Sequence, residues 1–79
     1  METYFFHLKD GVDLLLDPEG RQLPSLDAAI AAALFEAREI VSADAKAGAI
    51  KFNQFIEVED EAGTIVHRLH LRKAVSVEG

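Results

Sequence analysis

Three histidines, His7, His67 and His70, are the side chains in this sequence best suited to binding a metal. His67 and His70 lie three residues apart, a spacing that brings side chains together on a helix but puts them on opposite faces of a strand. A zinc site needs about four nitrogen, oxygen or sulfur ligands at definite spacings, and the chain has no cysteine. The sequence therefore predicts no metal and no cofactor, and it leaves His7 as a residue of uncertain role.

The carboxylates that could act as acids or bases form a run around a predicted turn: Glu57, Glu59, Asp60 and Glu61. The run lacks the Asp-x-Asp-x-Asp-Gly pattern and the distal glutamate of an EF-hand loop. It is typical of a solvated hairpin tip that protects a sheet edge, not of the cleft that acid–base catalysis needs. No serine lies in a nucleophile elbow and no glycine-rich phosphate loop is present. We therefore expect no catalytic residues and no enzymatic activity.

The basic residues cluster near the end of the sequence, at Arg68, His70, Arg72 and Lys73. One interpretation is an anion or nucleic-acid contact strip in which Phe55 stacks on a base. The other, which we favour, is charge pairing with the neighbouring acidic strand, since Glu57 and Glu59 are expected near Arg68.

Residues 3–17 form a predicted hairpin, because Asp10-Gly11 is a strong two-residue turn signal between apolar runs. With this turn, Lys9 is expected opposite Val12, and His7 opposite Leu14. One face of the hairpin then carries Tyr4, Phe6, Leu8 and Leu15, and the other carries Phe5, His7, Lys9, Val12, Leu14 and Leu16. The Asp-Pro-Glu-Gly sequence at 17–20 fits a type I turn, and residues 21–24 follow as an extended connector.

A single long helix is predicted from about residue 26 to 47, because this segment is rich in alanine. Ser25 or Asp27 can cap its start, and Gly48 is a natural end. The expected buried stripe comprises Leu26, Ile30, Ala33, Leu34, Ala37 and Val41, with Ile40 at its edge. Ala28, Ala31 and Phe35 lie on the other side, where Phe35 is either a lone exposed side chain or part of a contact. Asp44 projects near the buried stripe.

A second hairpin is predicted over about residues 50–71. Its first strand covers 52–59, and Asp60, Glu61, Ala62 and Gly63 form the turn. In the following strand alternation points Ile65, His67, Leu69 and Leu71 inward, and Thr64, Val66, Arg68, His70 and Arg72 outward. Residues 72–79 are expected to form a short tail, in which Ala74, Val75 and Val77 dock on the domain.

These elements predict one α+β domain over residues 1–79 with a ββαββ order. The expected architecture is a four-stranded, mainly antiparallel sheet with one long helix packed on one face. Since one helix covers one face only, the other face would expose apolar side chains, which commonly marks an interaction surface. We expect a homodimer, formed through a surface drawn from Phe5, Leu14, Leu16, Phe35, Ala31 and Ala28.

Fourteen acidic residues outnumber eight lysines and arginines, so the 79-residue chain carries a formal net charge of −6. This balance argues against nucleic-acid binding, which relies on neutralising phosphates, and it favours a basic protein partner. No stretch reaches the ~18 apolar residues of a membrane span, and the opening Met-Glu-Thr lacks the cationic start of a signal peptide. We therefore expect a cytoplasmic protein without a membrane contact.

Four motifs follow one another along the chain: Y-F-F-H-L-K-D-G at 4–11, D-P-E-G at 17–20, L-P-S-L at 23–26 and E-A-R at 36–38. In this succession the chain resembles a bacterial family of small uncharacterised proteins over nearly its whole length. The resemblance implies a domain of unknown function, with no activity to carry over. Among the residues that match, His7 alone lacks a structural explanation in the sequence.

The order of hairpin, D-x-x-G turn, L-P segment and alanine-rich helix is also similar to that of HicB-like antitoxins, which pair with a small RNA-cleaving toxin. This resemblance concerns the fold. Our leading hypothesis is a non-enzymatic interaction module that self-associates. The alternatives are an antitoxin-like partner of a small basic protein, and a small anion or metal binder that uses His7, His67, His70 and Arg68.

Overall fold

One α-helix packs against one face of an antiparallel sheet in the computed structural model, which describes residues 1–10, 13–49 and 53–74. The strands are β1 (Glu2–Lys9), β2 (Leu14–Leu15), β3 (Arg21–Leu23), β4 (Phe55–Glu59) and β5 (Ile65–His70). The helix α1 spans Leu26–Ala47, and a 3-10 turn follows β5 at Leu71–Lys73. The α+β prediction is confirmed, with five strands where the sequence indicated four.

The additional strand arises because the chain returns along β1 in two pieces. Both β2 and β3 pair with the same edge of β1, and β4 and β5 follow on its other side. Leu15 lies opposite Leu8 and Arg21 opposite Tyr4, so the returning chain advances six residues while β1 advances four. The two additional residues lie in the turn at 17–20, and β3 lies within the connector predicted at 21–24.

The register predicted for the first hairpin is wrong by two residues. Lys9 lies opposite Leu14 rather than Val12, and Leu8 opposite Leu15. The reason is that Asp10 and Asp13 close the hairpin: the Asp10 N–H donates to the Asp13 carbonyl (3.0 Å), and the Asp13 N–H donates to the Asp10 carboxylate (2.7 Å). The predicted tip residue Gly11 and Val12 lie outside the described residues. Because side chains alternate with period two, a shift of two leaves the described strand residues on their predicted faces.

The helix is capped as its sequence indicates. Ser25 accepts the Ala28 N–H at its start, and Gly48, with φ of +92°, ends it by donating its N–H to the Ala45 carbonyl. Asp44 is half-buried near the C-terminus of α1, and among the described residues its Oδ2 has no hydrogen-bond partner.

The buried stripe of α1 differs from the predicted one. It consists of Ala29, Ala33, Ala37 and Val41, with Leu34 and Ile40 half-buried beside it. Leu26, predicted to be buried, is exposed. Small side chains at every fourth position let the helix backbone come close to the sheet, so larger residues occupy the flanks.

The core between helix and sheet contains few large side chains. Its buried members are Tyr4, Ala29, Ala33, Ala37, Val41, Ile56, Val58, Leu71 and Ala74. The Arg38 guanidinium donates to the Ala74 carbonyl (3.0 Å), which fixes the 3-10 turn against α1. Ala74 docks as predicted, while Val75 and Val77 lie outside the described residues.

A register shift between β4 and β5 corrects the predicted faces of two residues. Val58 pairs with His67 and Glu59 pairs with Ile65, which leaves Val66 as an additional residue in β5. Ile65 therefore shares the face of Glu59 and is exposed, whereas Val66 packs against the core. A β-bulge of this kind reverses alternation locally, which a strict period of two cannot anticipate. Phe52, in the predicted strand, lies outside the described residues.

Gly20 has a conformation and a position that exclude a side chain. Its φ is +71°, and an added Cβ would lie 2.8 Å from Thr3 Cγ2 and 3.0 Å from the Phe5 ring. Gly63 shares the positive φ (+84°) but has open space around it.

We expect Gly20→Ala to lower the free energy of unfolding by about 1–3 kcal/mol more than Gly63→Ala, because only the first adds a clash to the strain of a positive φ. Urea unfolding of both variants measures this difference. Equal losses would show that the backbone at Gly20 relaxes without cost.

Candidate functional site

The sheet face opposite α1, here called the open face, gathers most of the polar residues identified from the sequence. Its side chains are those of Phe5, His7, Lys9, Leu14, Leu16, Phe55, Glu57, Glu59, Ile65, Arg68 and His70. Except for Leu16, their places follow from cross-strand pairing, since directly opposed residues point to the same side of an antiparallel sheet. Leu16 follows β2 and lines depressions on both sides of the sheet. A shallow depression of about 430 Å³ lies on this face.

Glu57 is the central charged residue of the open face. Its side chain is only 3% exposed although no helix covers it, because Lys9 from β1 and Arg68 from β5 both lie over it. Arg68 Nε donates to Glu57 Oε2 (3.0 Å), and the Lys9 ammonium contacts Oε1. The hydrogen bond from Lys9, followed by that from Arg68, lowers the pKa of Glu57 below its usual range, and burial opposes this shift only in part.

The contact of Glu57 with Arg68 is the charge pairing favoured from the sequence. No pattern in the sequence indicated, however, that Glu57 would be buried. The expected solvated tip begins only at Asp60, whose carboxylate accepts the N–H groups of Ala62 and Thr64.

His7, whose role the sequence left open, is buried and hydrogen-bonded at both ring nitrogens. Its Nδ1 accepts the Asp17 N–H (3.0 Å), so its Nε2 carries the proton and donates to Glu59 Oε1 (3.1 Å). The Phe5 ring lies parallel to the imidazole at 6.4 Å. These contacts give His7 a structural role: it joins the turn at 17–20 to β4 across β1.

Asp17 completes this connection. One carboxylate oxygen accepts the Phe6 N–H (3.1 Å), and the other accepts the N–H groups of Glu19 (3.2 Å) and Gly20 (3.1 Å). Burial disfavours the charged form of Asp17, but the hydrogen bonds from Gly20, Phe6 and Glu19 outweigh it and lower its pKa. The side chain thus takes the place of a strand residue at the point where β2 ends.

The three histidines do not converge. His67 lies on the helix side opposite Val58, and His70 lies on the open face 5.2 Å from the Phe55 ring. Within residues 1–10, 13–49 and 53–74, no group of three His, Asp or Glu side chains is arranged to hold a metal ion.

The residues of the predicted basic cluster also lie in different surroundings. Arg68 pairs with Glu57 and also lies 5.3 Å from the Phe55 ring centre, so its guanidinium is occupied by internal contacts. Arg72 and Lys73 lie exposed in the 3-10 turn.

The apolar residues expected at an interaction surface fall into two places. Phe5, Leu14 and Leu16 lie on the open face, with Phe5 half-buried. Phe35 is 62% exposed on α1, beside the exposed Ala31 and half-buried Ala28.

Besides Leu26 on α1, sequence reasoning missed two exposed apolar residues in the strands, Ile65 and Leu15. Ile65 reaches the open face through the β-bulge. Leu15 lies on the helix side of β2, beside a depression of about 390 Å³ between β1 and α1. The uninterrupted Leu14-Leu15-Leu16 run was the available signal, since one of three consecutive leucines must face away from the other two.

The helix-side depression has an apolar floor and a polar rim. Phe6, Leu8, Leu15, Ile40 and Ile56 form most of its lining. At the rim the Arg21 guanidinium pairs with Glu36 and lies 5.2 Å from the Phe6 ring centre. This ion pair links β3 to α1.

A family model described as a domain of unknown function, DUF6894, matches residues 3–72. The chain belongs to this family. The expectation of an uncharacterised domain is confirmed at this level. No curated protein matches the DUF6894 chain, and no solved structure does. Among the residues that the structure describes, no helix has the length and apolar character needed to cross a membrane.

Replacing Glu57 by Gln keeps the shape of the side chain and removes the charge shared by Lys9 and Arg68. We expect this change to lower the free energy of unfolding by about 1–3 kcal/mol at pH 7, since it leaves two cations without their carboxylate. Folding lowers the pKa of Glu57. The ionised carboxylate therefore contributes fully to the free energy of unfolding above the ordinary pKa of 4.5, and this contribution is lost as the pH falls through the lower pKa of the folded state.

The difference between wild type and Glu57→Gln should therefore shrink as the pH is lowered from 7 to below 4.5. Urea unfolding at a series of pH values measures it, with Glu39→Gln on the exposed side of α1 as the control. A difference that stays constant over this range would contradict the ionised, paired state of Glu57.

Proposed function

We propose that this DUF6894 domain is a non-enzymatic interaction module that self-associates through the open face of its sheet. The observation that carries the proposal is the exposure of Leu14, Leu16 and Ile65 on a face that no described element covers. Exposed apolar side chains grouped on one face are typical of protein–protein contacts.

The charge distribution favours a second copy as the occupant of this face. The chain carries a net charge of −6, so two copies repel each other at most orientations. On the open face, however, Lys9 and Arg68 are balanced by Glu57 and Glu59. Two copies can therefore approach there without net repulsion, and burial of the leucines supplies the attraction.

The dimensions of the domain are compatible with a stable dimer. The longest extents are 39 and 27 Å, and the third is 17 Å. A standard interface buries about 800 Å² per partner, which a face of this size can provide. Two sheets stacked face to face at about 10 Å would place the leucines of both copies in one layer.

The side of α1 that carries Phe35 is less suited to this contact. Phe35 is the one large apolar side chain among the three residues expected there, since its companions Ala28 and Ala31 are small. A single exposed aromatic residue is common on monomeric proteins.

The non-enzymatic part of the proposal is supported by the state of the polar groups. Both nitrogens of His7 are engaged within the domain, and so are both oxygens of Glu57. Groups held in this way stabilise the sheet and are poorly placed to transfer protons to a substrate. A bacterial, cytoplasmic setting remains our expectation from the sequence.

Leu16→Glu should convert the dimer to a monomer, because it would bury an unpaired carboxylate in an apolar contact. The expected weakening of the dimer is at least about 1.4 kcal/mol, which is tenfold in the dissociation constant. Light scattering at several concentrations measures the mass against 8.7 kDa for one chain. Leu16 is exposed, so the variant should fold normally.

Phe35→Glu is the matched control and should leave the mass unchanged. Loss of the dimer in this variant alone would assign the contact to α1 instead. A wild-type mass of one chain at all concentrations would contradict self-association and favour the alternative, a small basic protein partner attracted by the net charge of −6.

A further inference from the structure

The β2 edge of the sheet presents backbone groups that the hairpin does not use. Hydrogen-bonded and non-hydrogen-bonded pairs alternate along an antiparallel ladder. Asp10 and Asp13 form a hydrogen-bonded pair, so the next pair, Lys9 and Leu14, is a non-hydrogen-bonded one. The N–H and carbonyl of Leu14 therefore point away from β1, toward the outside of the sheet.

Apolar side chains lie on both sides of this edge. Leu14 and Leu16 are 51% and 59% exposed on the open face, and Leu15 is 68% exposed on the helix side. A face-to-face dimer would cover Leu14 and Leu16 but would leave Leu15 and the outward backbone of Leu14 in water. The depression beside Leu15 has a volume of about 390 Å³ and an apolar floor, so an apolar side chain from a neighbouring strand can be placed there.

The cations nearest this edge, Lys9 and Arg21, are paired with Glu57 and Glu36, and the other charges around it are acidic. Residues 10–20 contain four carboxylates, on Asp10, Asp13, Asp17 and Glu19, and no lysine or arginine. Sheet edges are commonly protected by bulges, by short length and by charged side chains. The β5 edge has a bulge at Val66 and a cation at Arg68, whereas β2 is short and flanked by carboxylates, which repel an acidic strand and attract a basic one.

A second copy of this chain is poorly suited to the β2 edge. Antiparallel pairing of two β2 strands about Leu15 would place Asp13 of one copy opposite Asp17 of the other, and pairing about Leu14 would bring the two Asp13 residues to diagonal positions on one face. Pairing with β5 of another copy would be head-to-tail, which gives a ring only if the rotation closes and an open filament otherwise. The cation that β5 offers, Arg68, is already paired with Glu57.

We propose that the β2 edge binds an extended segment of a different, basic protein, which adds a strand to the sheet. The segment pairs with the backbone of Leu14 and places an apolar side chain in the depression beside Leu15. Lysine or arginine residues on either side of its apolar centre lie near Asp13 and Glu19. Strand addition gives affinity through the backbone, and the alternating side chains and charges give selectivity.

The test uses the full-length, ¹⁵N-labelled protein and two synthetic peptides, both with a Val-Leu-Val centre. One peptide has two lysines on each side and the other has two glutamates. Amide chemical shifts are followed as peptide is added to millimolar concentration. The lysine peptide should shift the amides of Leu14, Leu15 and Leu16 most, and its affinity should fall with added salt.

Leu15→Asn removes the apolar side chain without changing the charge, and it should weaken binding of the lysine peptide at least tenfold. The fold should be retained, because Leu15 is exposed. Phe35→Ala is the matched control and should bind normally. Light scattering of the same samples reports self-association separately, since a dimer held by the open face keeps its mass when the peptide binds.

Three results would overturn the proposal. They are equal binding of the glutamate peptide, shifts centred on β5 instead of β2, and no shift at Leu14 to Leu16 with the lysine peptide at millimolar concentration. Dissociation of the dimer when the peptide binds would show that the peptide and the second copy use the same surface. That result would also contradict a separate site at the β2 edge.

Discussion

A single helix can cover only one face of a sheet, and the properties of this domain depend on that constraint. The core that α1 forms with the sheet is thin, because alanines at positions 29, 33 and 37 bring the helix backbone close to the strands. Close approach buries Ile56 and Val58 fully with small partners. Because α1 covers one face only, the opposite face must be stabilised without a second helix among the described residues.

The open face meets this requirement with ion pairs rather than apolar packing. Lys9 and Arg68 lie across Glu57 from the strands on either side, so three adjacent strands are joined by one carboxylate. The aliphatic parts of the two cations also shield Glu57 from water, which long basic side chains do well. The apolar residues are left at the margin of the face, at Leu14, Leu16 and Ile65, where a partner can reach them.

The turn at 17–20 determines how the chain runs along the edge of the sheet that carries Leu14 and Leu16. Asp17 replaces a strand residue beside Phe6, and His7 holds the backbone of Asp17 in place. The returning strand is thereby divided into β2 and β3, and β2 is reduced to two residues. All three leucines at 14–16 are exposed, on one side of the sheet or the other. His7, Asp17 and Gly20, which the sequence singled out together, thus have a structural explanation.

Local features of the chain could be predicted from the sequence. The bounds of α1 depend on Ser25 and Gly48, which act within one turn of the helix, and the two faces of the first hairpin depend on alternation alone. Even the wrong register preserved those faces, since it differed by two residues.

The tertiary structure decided what depends on residues distant in sequence. Burial of Glu57 requires Lys9 and Arg68, which only strand pairing brings to it, and the role of His7 requires Glu59, 52 residues away. The position of Ile65 follows from a bulge that no local pattern marks. Propensity and periodicity describe how a segment folds by itself, whereas register and burial are set by which segments meet, and that is a property of the whole chain.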